Sequence, residues 1–410
     1  MNVPELVVPA GNPVKLEVAL KYGADAVYLS GKQFGLRHYA GNFDLEELRA
    51  AVQLVHDKSK KIYLAVNMLC RDKHIEALKD YLKSVGNFGL DALIISDPGV
   101  MSLAKSVCPH IPVHLSTQAN TLNSEAVRFW AKQGVKRVVL ARELSQDEVS
   151  SIACNAACEV EVFVHGALCI AYAGRCYLSA YLENRESNEG TCAQPCRNDY
   201  YVVQKKGRHA AEMLEFDFDE DNSYVFNSRD LCLIEYLPQL VQAGVSALKI
   251  EGRMKTEYYV AVVTRVYRKA LDMIRDEIHI SDKQLSEWID ELQRVSHRHY
   301  TAGFFGNAPE SERVSRDGKY SHPYQYVAYI DKPNGEQCFL DPKSKIVVGE
   351  QLEIISPDCS NDRTVRVTQI IRDDEAVTAI HPNQFAKLFF DGAVFQGEML
   401  RKPLIHKEGN

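Results

Sequence analysis

FDLEELRAAVQLVHDKSKKIYLAVN, residues 43–67, is the stretch on which the fold turns. Its first part places Leu45, Leu48, Val52 and Val55 at helical spacing, so one apolar stripe faces inward while charged residues face water. Residues 61–67 then read as a short strand that is apolar on both faces. A strand of that kind belongs in a parallel sheet covered by helices on its outer side.

Working outward, the same alternation fills the first 275 residues. Strands are expected at 6–10, 26–30, 61–67, 92–96, 112–118, 137–142, 159–166 and 247–253. Helical periodicity occupies the gaps, as in SEAVRFWAKQGV and TEYYVAVVTRVYRKALDMIRD. Gly23, Gly89, Gly134 and Gly244 close helices ahead of the next strand. Eight such units in about 275 residues predict an α/β fold of the (β/α)8 TIM-like barrel type. The runner-up, an open doubly wound sheet, would carry a glycine-rich phosphate-binding turn after its first strand, and none follows residues 6–10.

The whole chain has 410 residues, 46% apolar and 25% charged, which leaves room for two domains with cores of their own. Glycine and proline, at 23 and 15, exclude collagenous or disordered classes. No apolar run is long enough to span a bilayer, so no membrane partner is expected. The opening MNVPELVVPAGN has neither the basic start nor the long apolar stretch of a signal peptide, which predicts a cytoplasmic protein. With 48 basic against 55 acidic residues the net charge is −7, which excludes an overall cationic coat but not a local basic groove.

The eleven cysteines are odd in number, which argues against a disulfide framework. Five of them crowd between Cys169 and Cys232. This stretch falls in the seventh unit, where a long insertion, 166–230, breaks the rhythm. Barrel insertions of that size sit at the C-terminal rim, where active sites are built. The motif reads His165-Gly-Ala-Leu-Cys169, Gly174-Arg-Cys176-Tyr-Leu-Ser179 and Gly190-Thr-Cys192-Ala-Gln-Pro-Cys196, with Cys232 beyond, opening the next helix. Short-spaced thiols with one distant partner suit the four thiolates of an iron–sulfur cluster, or a tetrahedral zinc site. Five candidates compete for four positions. Cys70, Cys108, Cys154, Cys158, Cys338 and Cys359 read instead as small buried hydrophobes.

After residue 290 the character changes. A linker is expected over 291–320, then a small antiparallel β-barrel over 321–405, from short alternating strands such as YQYVAYID and TVRVTQIIR. Asn334-Gly335 marks a hairpin within it. Residues 1–290, with the rim insertion, form the catalytic barrel.

The run Glu161-Val-Phe-Val-His-Gly-Ala-Leu-Cys169, continuing to Gly174-Arg-Cys176-Tyr-Leu-Ser179, resembles the signature of the collagenase-like peptidases, family 32 of the unclassified peptidases. Ala19-Leu-Lys-Tyr-Gly-Ala-Asp-Ala-Val-Tyr-Leu, Phe34-Gly-Leu-Arg37 and Leu248-Lys-Ile-Glu-Gly-Arg253 are similar to that family as well. With Asn227-Ser-Arg-Asp-Leu-Cys232 and the C-terminal strands, the chain most resembles its tRNA hydroxylation branch. That resemblance implies conversion of wobble uridine to 5-hydroxyuridine, a 4Fe–4S cluster held by Cys169, Cys176, Cys192 and Cys232, and dependence on prephenate rather than molecular oxygen. Cys196 matches a position that other branches use. Related branches act on a ribosomal RNA cytidine or on ubiquinone precursors.

The family name also raises proteolysis. His165 lies four residues before Cys169, which permits a thiolate–imidazole pair, but several thiols on one loop suit a cluster better than a single nucleophile. Neither H-E-x-x-H nor G-x-S-x-G occurs. Polar residues ending barrel strands project into the site. Among these His165, Glu251 and Arg253 are the catalytic candidates, and Asn67, Gln118 and Arg142 are expected to hold the small-molecule partner. An arginine such as Arg253 pairs bidentately with a carboxylate, and prephenate carries two. Arg197, Lys205, Lys206 and Arg208, beside Tyr200 and Tyr201, offer charge and stacking surface for tRNA.

Overall fold

The computed structural model describes residues 2–37, 40–169, 171–172, 176–197, 229–306 and 320–404. Its first part runs β1 (Glu5–Pro9), α1 (Pro13–Lys21), β2 (Ala26–Ser30), α2 (Leu45–Asp57), β3 (Lys61–Ala65), α3 (Ile75–Val85), β4 (Ala92–Ile95), α4 (Pro98–Val107) and β5 (Val113–Leu115). It continues through α5 (Ser124–Lys132), β6 (Val135–Val139), α6 (Gln146–Cys154), β7 (Glu159–Ala167), α7 (Leu178–Glu183), β8 (Asp230–Cys232), α8 (Leu237–Gln242) and β9 (Ala247–Ile250). Strands β1–β7 and β9 are parallel and close into a ring, since β9 pairs with both β7 and β1. The (β/α)8 barrel is present, its strands at the eight expected places.

Local chemistry explains the helix starts. Asn12, Asp44, Asp97, Asn123 and Ser145 each cap a helix by accepting a bond from a backbone N–H of its first turn. Asp44 with Glu47 and Ser145 with Glu148 complete capping boxes. Several strands end earlier than the apolar runs suggested. Residues 116–118 leave the ladder in a 3-10 turn capped by Ser116, and β9 stops before Glu251. An apolar run marks burial, whereas the strand ends where its neighbours stop offering hydrogen bonds.

Inside the ring, Val7, Ala26, Tyr28, Tyr63, Ala65, Ala92, Ile94 and Ala247 pack together. Beside them lies a buried charge network. The Glu161 carboxylate on β7 accepts from Lys249 Nζ of β9 at 2.8 Å and from Arg137 Nη1 of β6 at 3.2 Å. Arg137 also pairs with Glu5 and Glu159, at 2.7 and 2.6 Å. Burial would raise the Glu161 pKa, but Lys249 and Arg137 hold it below the usual carboxylate range.

The chain leaves the barrel after β7 and returns through β8, which pairs antiparallel with β7, placing Cys232 opposite His165 and Asp230 opposite Ala167. Cys232 therefore ends a strand; the helix it was expected to open starts only at Leu237, after a 3-10 turn over Ile234–Tyr236. The strand forms because β7 outruns its neighbours and offers unpaired backbone, a tertiary cause that local sequence does not carry. After α9 (Glu257–Arg275) and α10 (Asp282–Gln293), β10 (Tyr300–Thr301) pairs with β8. The stretch read as a linker is thus structured on the barrel side as far as Gly306, and residues 307–319 lie outside the described residues. Asp230 and Arg298, both fully buried, lock this corner with bonds of 2.9 and 2.6 Å.

The second domain comprises β11 (Tyr324–Tyr329), β12 (Pro333–Asn334), β13 (Gln337–Leu340), β14 (Ile346–Val347), β15 (Gln351–Ile355), β16 (Arg363–Arg372), β17 (Glu375–Val377), β18 (Ala379–Ile380), β19 (Ala386–Phe390) and β20 (Met399–Pro403). All its pairings are antiparallel around a core of its own, with β12 and β13 joined at Asn334-Gly335 as a hairpin. It docks on α9 and α10. Glu291 receives Arg265 from α9 and Arg401 from β20, and Arg265 also pairs with Asp362 at 2.8 Å.

Two outcomes follow from the buried charges. Glu161→Ala leaves Lys249 without its partner, so it should lower the unfolding free energy by about 3–5 kcal/mol, with a smaller loss for Glu161→Gln, in urea titrations followed by tryptophan fluorescence. His114 on β5 is buried against Tyr63, and burial, then Arg137 and Lys249, drive its pKa well below the imidazole norm. The fold therefore refuses a proton that the unfolded chain accepts below about pH 6.5, and stability falls with acidification at up to about 1.4 kcal/mol per pH unit. His114→Phe should flatten that slope between about pH 6.5 and 5; an unchanged slope would count against the assignment.

Candidate active site

At the C-terminal ends of the barrel strands lies a cavity of about 170 Å³. Its base is formed by Tyr28, Ala65, Ile94, Val139, Phe163 and Lys249 from six different strands. Asn67, Gln118, Arg142, Glu251 and Arg253, all expected at the rim, line its wall together with Arg37. The insertion supplies the roof through Leu168, Cys169, Cys176, Ser187, Asn188, Cys192, Gln194 and Cys196.

The wall is strongly polarised. Glu251 Oε2 accepts from Tyr28 Oη at 3.0 Å, and Arg37 Nε stands 3.9 Å from Oε1. Burial would raise the Glu251 pKa, yet Arg37, Arg253 and Arg142 hold it below the usual carboxylate range, so it is a fixed negative charge. Arg253 donates through Nη2 to the Leu36 carbonyl, while its buried Nη1 has no protein partner. Burial works against its charge, and Tyr28 and Glu251 offset only part of that effect. Gln118 uses its Oε1 to accept from Asn67 Nδ2 at 2.7 Å and from Ser116 Oγ at 3.2 Å, which leaves its buried Nε2 unpartnered as well. Arg142 donates to the Ala167 carbonyl at 2.6 Å and lies 4.4 Å over the Phe163 ring.

Arg253 and Gln118 both line the cavity, and each keeps one buried donor without a protein acceptor. Glu161 balances Lys249, and Glu251 balances one arginine. Two guanidinium charges remain. Gly166 lets the wall close: it has φ +108°, and a Cβ there would collide with the Glu251 carbonyl.

Of the expected thiols, Cys169, Cys176 and Cys192 meet on the cavity, joined by Cys196. Cys232 does not line it. Its Sγ lies 3.9 Å from Tyr267 Oη, and burial pushes the thiol pKa up to about 11. Among the described residues no three Cys, His, Asp or Glu side chains converge at metal-holding distance. The donor set suits a thiolate-ligated group in type and number, with the four roof thiols around one space.

His165 is not on the cavity. It is 1% exposed and enclosed by Tyr259, Tyr267 and Tyr300, with ring centroids 5.1–5.9 Å away. Burial pulls its pKa down to about 3, so the ring is neutral. The alternation of β7 would have sent His165 inward with Glu161 and Phe163, but a register irregularity against β9 between Phe163 and His165 turns it away.

Other expectations resolve unevenly. Cys108 and Cys338 are buried and Cys70, Cys158 and Cys359 half-buried, but Cys154 at the end of α6 is exposed rather than a core thiol. Tyr200, Tyr201, Lys205, Lys206 and Arg208 lie outside the described residues, as does the side chain of Arg197. Sequence reasoning missed Arg37, Lys249 and Tyr28 as site residues. Lys249 carried a signal, a lone charge inside the apolar run Leu248–Ile250. Arg37 carried only its place in Phe34-Gly-Leu-Arg37, where it adopts φ +76°, a strained value for a non-glycine residue.

A parallel (β/α)8 barrel whose mouth is roofed by a cysteine-bearing insertion defines the class. The model of peptidase family U32 matches residues 11–315, and this chain belongs to that family. It is 36% identical over 405 residues to "tRNA hydroxylation protein P1" of Bacillus subtilis, covering 97% of this chain and 94% of that protein. It is 40% identical over 396 residues to "tRNA hydroxylation protein P" of Helicobacter pylori, covering 95% and 91%. The "Collagenase" of Porphyromonas gingivalis is 32% identical over 332 residues, covering 78% and 76%. No helix among the described residues is long and apolar enough to cross a membrane.

Proposed function

We propose that this protein is an RNA-modifying hydroxylase that converts wobble uridine of tRNA to 5-hydroxyuridine, using a 4Fe–4S cluster and a dicarboxylate co-substrate, prephenate. The observation that carries the reading is the cavity itself, with four thiols above and the arginines Arg37, Arg142 and Arg253 in its wall. The two guanidinium charges left unbalanced suit a ligand with two carboxylates. Cys169, Cys176 and Cys192 would hold the cluster, with the fourth thiolate from Cys232, as the family resemblance implies, or from Cys196, which shares the cavity. Such a cluster supplies one-electron chemistry. Arg37 and Arg253 orient the anion beneath the thiols, and Glu251 keeps those arginines in register.

The near-complete overlap with relatives named for tRNA hydroxylation supports the choice of substrate. Proteolysis through a Cys169–His165 pair is disfavoured, because His165 is sealed among tyrosines and away from the cavity. A neutral, enclosed imidazole does not activate a thiol on the other side of the wall.

Nucleoside mass spectrometry of tRNA from cells lacking the protein should show loss of 5-hydroxyuridine and its derivatives. Wild-type protein should restore them, and Arg253→Ala should not. Unchanged tRNA would redirect the search to ribosomal RNA or quinone precursors. Anaerobically purified protein should be brown, with iron and sulfide at about four each per chain, and Cys176→Ala should bleach it. Tightly bound zinc with no iron would sink the cluster.

A further inference from the structure

We propose that Tyr177 and Tyr181 form a stacking platform for the unpaired bases that flank the target nucleotide in a tRNA anticodon loop. The proposal rests on the tRNA reading above and adds to it a surface outside the cavity.

Among the described residues, fifteen large apolar or aromatic side chains are exposed, and four of these, Tyr172, Tyr177, Tyr181 and Leu182, fall within eleven consecutive positions. All four belong to the insertion that roofs the cavity. Tyr177 is 68% exposed and Tyr181 78%, more than any other residue in that group. The Tyr181 N–H donates to the Tyr177 carbonyl at 3.0 Å, so the two residues sit one helical turn apart on the same face.

The opposite side of α7 is tied down. Ser179 is buried, and its Oγ accepts from the Ala193 N–H at 3.0 Å. Ser187 Oγ donates to the Cys176 carbonyl at 3.1 Å, and the Arg185 N–H to the Ser179 carbonyl at 3.2 Å. These bonds fix the tyrosines relative to the loops that carry Cys176 and Cys192. The short helix that bears the rings is therefore bonded to the loops around the cavity.

An enzyme that acts on one base must draw it out of the stack, and its neighbours then lose their stacking partners. Exposed ring faces on the insertion that roofs the cavity replace what they lost. Tyrosine suits this duty because its hydroxyl tolerates water while the ring offers a flat face to any base. Charge favours RNA over a protein partner: in the cavity that the same insertion roofs, Arg37, Arg142 and Arg253 outnumber Glu251, while Lys249 is balanced by Glu161, which leaves a net positive field for a phosphate backbone. The exposed polar residues Glu183 and Asn184 interrupt the apolar surface, so there is no continuous greasy patch of the kind a protein interface buries.

The test uses the full-length protein and an anticodon stem-loop RNA with 2-aminopurine beside the wobble position. Wild-type protein should bind it and quench the fluorophore. Tyr177→Ala with Tyr181→Ala should weaken binding by roughly tenfold or more and abolish the quenching, whereas Tyr177→Phe with Tyr181→Phe should bind as wild type. Both sites are exposed, and circular dichroism verifies the fold. Equal affinity and equal quenching in the double alanine variant would overturn the platform while leaving the tRNA reading intact. Failure of the wild-type protein to bind either the stem-loop or whole tRNA would overturn both.

Discussion

The Glu161 carboxylate is the charge on which the barrel closes. It sits on β7, the strand that must bond to β6 on one side and β9 on the other for the ring to be complete. Its two oxygens reach Arg137 on β6 and Lys249 on β9, so one buried anion bridges both seams. A charge in that position is tolerated only because both partners are in place, and each partner is tolerated for the same reason. Lys249 also forms part of the cavity base. The electrostatics that shut the barrel thus decide how much positive charge its mouth presents.

Division of labour follows from this architecture. Strands supply a rigid base and wall: Tyr28, Phe163 and Lys249 are set by ladder hydrogen bonds, and Glu251 is held by its own backbone bond to the His165 carbonyl at 2.8 Å. The thiols come from a loop instead. Precise placement of an anion needs the former, whereas a thiolate-bound group imposes its own geometry on the side chains that wrap it. The wall side chains are oriented by hydrogen bonds, while the thiols share one space without three metal-holding side chains converging among the described residues.

The barrel was legible because continuous apolar strands, helix caps and terminal glycines all report the same alternation. The site was legible only in part. Asn67, Gln118, Arg142, Glu251 and Arg253 follow from their places at strand ends, since a parallel barrel directs such residues to one rim. His165 follows the same rule and misleads, because one extra residue in β7 reverses its direction. The local setting of Cys232 was hidden for a related reason: it ends β8, a short strand that forms between the overhang of β7 and β10, where a helix start was expected. Arg37 sits on a loop in a left-handed conformation, which no periodicity announces. What the sequence conceals in each case is a contact made by distant strands or a backbone turn that obeys no repeat.

The pairing of Ala167 with Asp230 has a consequence for how such a protein changes over time. The chain departs and comes back at one spot, braced by Asp230 and Arg298, and the described part of the insertion is tied to the barrel again where the Leu69 N–H meets the Asn188 carbonyl and Arg71 meets Glu186 and Glu189. Lengthening or rewriting a loop with fixed ends costs little in closure entropy, and nothing in the ring of eight strands has to move to accommodate it. The roof is in this sense a cartridge: selection can exchange it for another while the polar wall of the barrel stays as it is. New substrates become reachable without refolding the barrel.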